Sequence, residues 1–260
     1  MESADVSLSM FEPDPAYGSG TYRRRIRLRR LSDHAVGATL DDDYHALWCR
    51  IDHQGGVVKA VDGGFRRAPT TVCGTAAGPL GELVGMALAS DYPTLVGGGR
   101  LRRNCTHMFD LAMLAMAQAV RTASDRLYDV AVTDLREGRQ TAEVACDGAA
   151  VHRWEVVGGQ IAAPARLTGQ PMVAGFARWA AEAFAGDGLE AALVLHRGYF
   201  VSQARARLTM RRYRLAERPG NDGVCHAYSG LNRQVGYSIP ESQRDFTAGV
   251  VEAGYPEDGV

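Results

Sequence analysis

The run Cys105-Thr106-His107-Met108-Phe109-Asp110 places a thiol, a hydroxyl, an imidazole and a carboxylate close together. On a helix, His107 and Asp110 lie three apart and share a face, so the carboxylate can orient the imidazole as a general base. A helix N-terminus here favours anions, whether a substrate oxyanion or a thiolate at Cys105. The plainer reading leaves Thr106 and Asp110 to satisfy helix-end donors and His107 to cap the core. A second cluster, Asp41-Asp42-Asp43-Tyr44-His45, offers acids and an imidazole for acid–base or metal chemistry. Three consecutive acids read as a solvated turn, since adjacent strand residues point to opposite faces, which leaves Tyr44 and His45 as the candidates. A third, Gly223-Val224-Cys225-His226-Ala227-Tyr228, has a loop's composition. Adjacent Cys225 and His226 suit a shared tetrahedral metal poorly, although either could join Cys105 or His107 across the fold. Arg66 and Arg67 could clamp a carboxylate or phenolate; in an arginine-rich chain the plainer role is surface solubility.

These residues need elements to hold them. Asn104 is a good N-cap for a helix over 104–124, and beyond Asp110 that segment carries almost no polar face. A helix apolar all round is buried on all sides. Residues 22–31 alternate Ile26 and Leu28 with arginines, a strand with one face in water. Residues 45–65 read as a β-hairpin turning at Gln54-Gly55-Gly56, with Leu47, Cys49 and Ile51 inward. Residues 66–88 read as a broken turn running into a short helix that buries Leu80, Leu83, Val84 and Leu88. Segments 127–135, 139–147 and 150–157 alternate like an antiparallel meander, and helix returns over 171–207, broken at Gly186-Asp187-Gly188. The order βββ-αα-βββ-αα predicts an α+β fold: a curved antiparallel β-sheet wrapped around a buried central helix, with further helices packed on it. The expected division is a flexible N-terminal arm at 1–21, a single α+β domain at 22–242 and a flexible tail at 243–260.

With 260 residues, 46% hydrophobic and 23% charged, the chain is of ordinary globular composition, which excludes collagen, coiled coil and disorder. A net charge of -1 gives no global attraction for nucleic acid or membrane. No apolar run approaches the ~20 residues of a membrane helix, and MESADVSLSM lacks the pattern of a secretion signal, so a cytoplasmic protein is expected. The five cysteines then read as reduced thiols, and no CxxC pair exists. Lys59 is the single lysine, so Schiff-base or pyridoxal chemistry would have to use it. Gly97-Gly98-Gly99-Arg100 lacks the strand and GK[ST] of a phosphate loop, and GxSxG, HExxH and EF-hand patterns are absent. No flavin, nicotinamide, pyridoxal or haem cofactor is expected.

Five elements together resemble a known family: DDYH at 42–45, H-x-G-G-x-V at 53–58, R-x-P-T-T-x-C-G at 67–74, R-x-x-C-T-H-x-x-D-L at 102–111 and G-x-C-H-x-Y at 223–228. The chain resembles the bacterial domain-of-unknown-function family 2889 over roughly residues 22–230, most specifically at Cys105, Thr106, His107, Asp110 and Leu111. A threonine stands in the P-T-T-x-C-G stretch where the family carries tryptophan. The resemblance implies a setting in bacterial catabolism of aromatic compounds and supplies no activity by itself.

By elimination, the residues point to a cofactor-independent carbon–carbon lyase that releases formaldehyde or carbon dioxide from a hydroxylated aromatic compound. Such chemistry needs a base, an acid and a dry pocket. His107, oriented by Asp110 and lining the main pocket, is expected to be the base. Tyr44 or His45 is the acid and Arg67 the phenolate holder. Cys105, Thr106, Cys225 and His226 contact the substrate, and Met108, Met113 and Met116 form an adaptable wall. The expected partner is a small hydrophobic aromatic substrate; a homodimer is left open. Two other readings remain: a metal-dependent hydrolase or isomerase using His45, His107 and Cys225 or His226, and a non-catalytic module whose apolar face packs on a catabolic enzyme.

Overall fold

A computed structural model describes residues 9–90 and 92–256. Among the described residues ten strands are formed: β1 (Phe11–Pro13), β2 (Thr21–Ser32), β3 (Ala35–Asp42), β4 (Ala46–Gln54), β5 (Val57–Arg67), β6 (Asp125–Thr133), β7 (Arg139–Cys146), β8 (Ala149–Val157), β9 (Gln160–Ala163) and β10 (Arg207–Thr209). Among the described residues there are six helices: α1 (Tyr92–Val96), α2 (Arg100–Arg103), α3 (Thr106–Ala119), α4 (Phe176–Ala183), α5 (Gly186–Ser202) and α6 (Gly230–Val235). Eight strands make one antiparallel sheet in the order β5-β4-β3-β2-β6-β7-β8-β9, while β1 pairs with β10. The fold is therefore α+β with a large antiparallel sheet.

The alternation in β2 works as its sequence implies, with one exception. Tyr22, Ile26 and Leu28 are buried on the inner face while Arg23, Arg25 and Arg27 stay partly exposed on the other. Arg24 falls in phase with the apolar set and is 2% exposed. On the inner face, α3 packs against β2, β3 and β4, and α5 packs against β6, β7, β8 and β2. Within α3 Asp110, Met113, Ala117 and residues at its ends are partly exposed, Leu114 is 9% exposed, and Leu111, Ala112 and Ala115 have no exposure. Gly198 lets α5 come down onto the sheet: a Cβ there would meet Val130 Cγ1 at 2.7 Å.

The structure departs from the sequence reading in several places. β3 is buried along its whole length, and Asp41, Asp42 and Asp43 are at most 2% exposed, so the acidic run is not a solvated turn. Asp42 and Asp43 are buried in ion pairs with Arg24 and Arg205; for Asp41 the reason is a second cover. The segment after Gln243 crosses the outer face of the sheet, where Glu252 pairs with Arg25 and Arg27, the Ala253 N–H donates to Asp41 and Tyr255 packs on Gly37 and Trp48. Neither end is detached over its described part, because β1 pairs with β10 and the tail lies on the sheet; residues 1–8 and 257–260 lie outside the described residues. The expected short helix within 66–88 consists of 3₁₀ turns at Cys73–Thr75 and Gly78–Leu83. Leu80, Leu83 and Leu88 are buried, but Val84 is 48% exposed. Cys105, not Asn104, occupies the N-cap of α3, and the break before α5 falls at Phe184-Ala185 rather than at the glycines, which open the helix. A smaller core of Cys73, Tyr213, Leu215, Ala227 and Tyr228 holds the 223–228 loop.

Candidate functional site

The tight turn from β3 to β4 is organised by one carboxylate. Asp42 Oδ1 accepts the main-chain N–H groups of Tyr44 and His45, each at 2.8 Å, and the Nδ1 of His45 lies 3.0 Å away. A hydrogen bond from the Asp42 N–H to the His45 carbonyl closes the turn at 2.9 Å. From β5, Arg67 donates to the carbonyl oxygens of Asp42, Asp43, His45 and Ser242 at 2.5–3.0 Å. Arg67 was expected to hold a phenolate. Instead its guanidinium is committed to main-chain oxygens, because the turn and the 240–243 segment converge on it.

The other oxygen of Asp42 faces β2. Oδ2 accepts from Tyr22 Oη at 2.8 Å and from Arg24 Nε and Nη2 at 3.0 and 2.6 Å, while Arg24 Nε also reaches Tyr22 Oη at 2.9 Å. All three side chains are sealed from water. Burial opposes the charge on Asp42, yet His45 and Arg24 outweigh it and hold the carboxyl well below the usual carboxylate range. Burial likewise opposes the Arg24 charge, and its neighbours Tyr22 and Asp42 outweigh it. Burial pushes the Tyr22 phenol up, so it stays protonated and donates.

Across this cluster lies His107, on the first turn of α3. Its ring sits 4.1 Å from that of His45, centroid to centroid, at an interplanar angle of 32°. His107 is half-buried as a residue, but its Nε2 is shielded from solvent and has no hydrogen-bond partner among the described residues. Burial, then the neighbouring His45 and Arg24, hold the imidazole well below its ordinary pKa, with Asp42 pulling the other way. At neutral pH it is an uncharged base with an unused nitrogen. The expected Asp110–His107 pairing is absent. Asp110 binds Arg197 of α5 instead, because both helices pack on β2 and the long arginine side chain reaches the carboxylate. The imidazole that a carboxylate does orient is His45, and the carboxylate is Asp42.

The remaining expected residues separate into neighbours and outsiders. Tyr44 stands beside His45 with ring centroids 6.4 Å apart, and its hydroxyl is buried without a partner among the described residues. Burial, first, keeps that phenol protonated. Thr106 is half-buried one residue before His107. Cys105 is 7% exposed, and burial pushes its thiol up to about 12, so the expected thiolate does not form there. Cys225 and His226 belong to the smaller core's side: His226 Nε2 meets Thr75 Oγ1 and Asn232 Nδ2 at 2.9 Å each, and its N–H binds the Asn104 carbonyl at 3.2 Å. Those partners occupy the imidazole, which does not join His45 and His107. Among the described residues no three His, Cys, Asp or Glu side chains converge as metal donors.

His107 was also expected to line the main pocket. Two grooves, of about 320 and 270 Å³, run along the outer face of the sheet, beside Glu252 and Tyr255 and beside Gly249 and Val250, and neither is lined by His107. The sequence reading missed Tyr22 and Arg24 and set Asp42 aside. The available signal was Arg24 itself, a charged residue in phase with Tyr22, Ile26 and Leu28. No helix among the described residues is long and apolar enough to cross a membrane. Comparison with family models, with curated proteins and with solved structures found no match for this chain.

Proposed function

We propose that this chain is a cytoplasmic acid–base enzyme, a cofactor-independent carbon–carbon lyase acting on a small hydroxylated aromatic compound. One observation carries the reading: an uncharged, unpartnered imidazole at His107 lies against a second imidazole, His45, that is anchored to a buried carboxylate. Two adjacent imidazoles with unlike surroundings suit a base and an acid acting on one molecule. In the proposed reaction the substrate is bound as its phenolate; His45, in its imidazolium form, donates the Nε2 proton to a group leaving the benzylic carbon, and the phenolate becomes a quinone methide. His107 then accepts the proton of a neighbouring hydroxymethyl group. Its carbon–carbon bond breaks, formaldehyde departs, and the electron pair restores the aromatic phenolate; a carboxylate in place of the hydroxymethyl group would leave as carbon dioxide. Tyr44, protonated and turned inward, is a further donor to the substrate. The resemblance to the domain-of-unknown-function family 2889 supports the aromatic setting.

The architecture proposed around this site is a sheet that curves about α3, supported by that helix's packing on three adjacent strands and its near-complete burial. The deciding experiment incubates the protein with phenols that carry a benzylic leaving group and a neighbouring hydroxymethyl group, and with the matching phenolic acids. Formaldehyde or carbon dioxide in equal amount to a new aromatic product is expected, and should vanish in His107→Gln and His45→Gln. Release unchanged in both variants would overturn the assignment.

A further inference from the structure

The cysteines near Asn104 lack a metal-donor geometry, and nothing among the described residues covers the exposed Leu231 and Val235 of α6. The polar cluster beneath His45 goes further. Asp42 receives six contacts, three on each oxygen: Tyr44 N–H, His45 N–H and His45 Nδ1 on Oδ1, and Tyr22 Oη, Arg24 Nε and Arg24 Nη2 on Oδ2. A carboxylate offers about four lone-pair sites, so both oxygens are saturated with donors and neither has room for a proton. Asp42 therefore acts as an acceptor only. The ring nitrogen that faces it must supply the hydrogen.

We infer that Tyr22 and Arg24 are positioning residues for the imidazole pair: by filling Oδ2 of Asp42 they oblige His45 to keep its proton on Nδ1 and to exchange protons only at Nε2. The inference rests on the reading of His45 and His107 as an acid–base pair for its catalytic meaning, but not for its structural content. In free histidine the tautomer with hydrogen on Nε2 is the commoner, so this site holds the ring in the less populated form. If Oδ2 lost its donors, the negative charge on Asp42 would be less well held, and with it the demand for a hydrogen on the Nδ1 that faces Oδ1. His45 could then carry its hydrogen on Nε2 with Nδ1 bare, and Nε2 would no longer be the nitrogen that gives up a proton and takes one back in each turnover.

The geometry makes the roles of the two partners distinct. Arg24 binds Oδ2 through two nitrogens and also holds Tyr22 Oη, so its planar fork fixes both the carboxylate and the phenol. Tyr22 adds one donor and fills the space between β2 and Gly198 of α5, whose hypothetical Cβ would lie 3.6 Å from the Tyr22 ring. The charged and titratable groups around the pair are Tyr22 and Arg24 on β2, Asp42 on β3, Tyr44 on the turn, and Asp110 on α3 with Arg197 on α5.

The test reads the tautomer directly. Long-range proton–nitrogen NMR on the ¹⁵N-labelled full chain, with no substrate, reports which ring nitrogen of neutral His45 carries hydrogen. The wild type is expected to show hydrogen on Nδ1. Tyr22→Phe, which keeps the ring volume, and Arg24→Lys, which keeps the charge but loses the fork, are expected to show a growing share of the Nε2–H form. If Arg24→Lys fails to fold, Tyr22→Phe carries the test. Where lyase turnover is present, kcat should fall about tenfold or more in both variants with KM little changed, whereas a merely structural role would leave the tautomer and the pH profile untouched. Hydrogen on Nε2 in the wild type, or an unchanged tautomer in both variants, overturns the inference. An altered tautomer in variants of a chain that shows no lyase turnover would uphold the positioning and remove the proposed reaction.

Discussion

His107 carries a conflict at the scale of a single residue. A buried nitrogen without a partner costs stability, on the order of 1–3 kcal/mol for a neutral group, and here that nitrogen is Nε2. His107→Leu removes the orphan while filling similar space. Thermal unfolding of this variant should therefore show an equal or higher melting temperature, and its turnover should fall by roughly 10²–10⁴-fold, the usual worth of a general base. A variant that loses stability and keeps activity would return His107 to ordinary packing. His45 and His107 were legible in the sequence because imidazoles are scarce and stand out beside acids. Asp42 was not, because its burial comes from Tyr22 and Arg24 on the neighbouring strand; nor was Asp41, because the two-residue period of a strand implies a wet face only when nothing covers it. The cover is Glu252, Ala253 and Tyr255, more than two hundred residues away, and no local pattern announces it. Asp110 was misjudged for the same reason: helix spacing puts it beside His107, and an arginine from another helix claims it.

At the scale of elements, what reads well is periodic. The hairpin of β4 and β5, the meander of β6, β7 and β8 and the apolar run of α3 all stand where their patterns put them. β3, Ala-Val-Gly-Ala-Thr-Leu-Asp-Asp, shows no alternation because both of its faces are buried, and a strand without alternation is invisible to a period-two reading. Close approach between layers is equally hidden. Gly198 sits in mid-helix, where alanine would ordinarily gain about 0.5–1 kcal/mol. Here the added Cβ would lie 2.7 Å from Val130 Cγ1. Gly198→Ala should therefore lose about 1–3 kcal/mol in denaturant unfolding, the usual range for overpacking. A gain in stability would mean that α5 can lift from β6 without penalty.

Over the whole molecule, the two faces of β3 tie the tail to the site. Asp42 points inward to His45, and its neighbour Asp41 points outward, where it accepts the Ala253 N–H at 3.1 Å. Burial pushes the Asp41 carboxyl up to about 6 from an ordinary 3.8, with that hydrogen bond opposing the shift. Between those values the folded chain binds this proton and the unfolded chain does not, so Asp41 contributes stability that grows on acidification. Removing it in Asp41→Asn should make the variant lose more stability than the wild type between pH 6 and 4.5, by up to about 1.4 kcal/mol per pH unit. Parallel curves in denaturant titrations at the two pH values would sink this account.

Arg67 has a consequence of another kind. Its guanidinium gathers carbonyl oxygens from Asp42, Asp43, His45 and Ser242, with the ring of Phe246 5.6 Å from its central carbon. Truncation to alanine would leave a slot with the outline of a small free ion, lined by oxygens in the places that ion prefers. Guanidinium at concentrations far below those that unfold proteins should enter it and restore the Arg67→Ala variant's melting temperature. Urea has the same fork of donors without the charge and should restore less, so chemical complementation by the two solutes would separate what the turn owes to hydrogen bonds from what it owes to a cation. For this protein a familiar denaturant would act, at low dose, as a missing side chain.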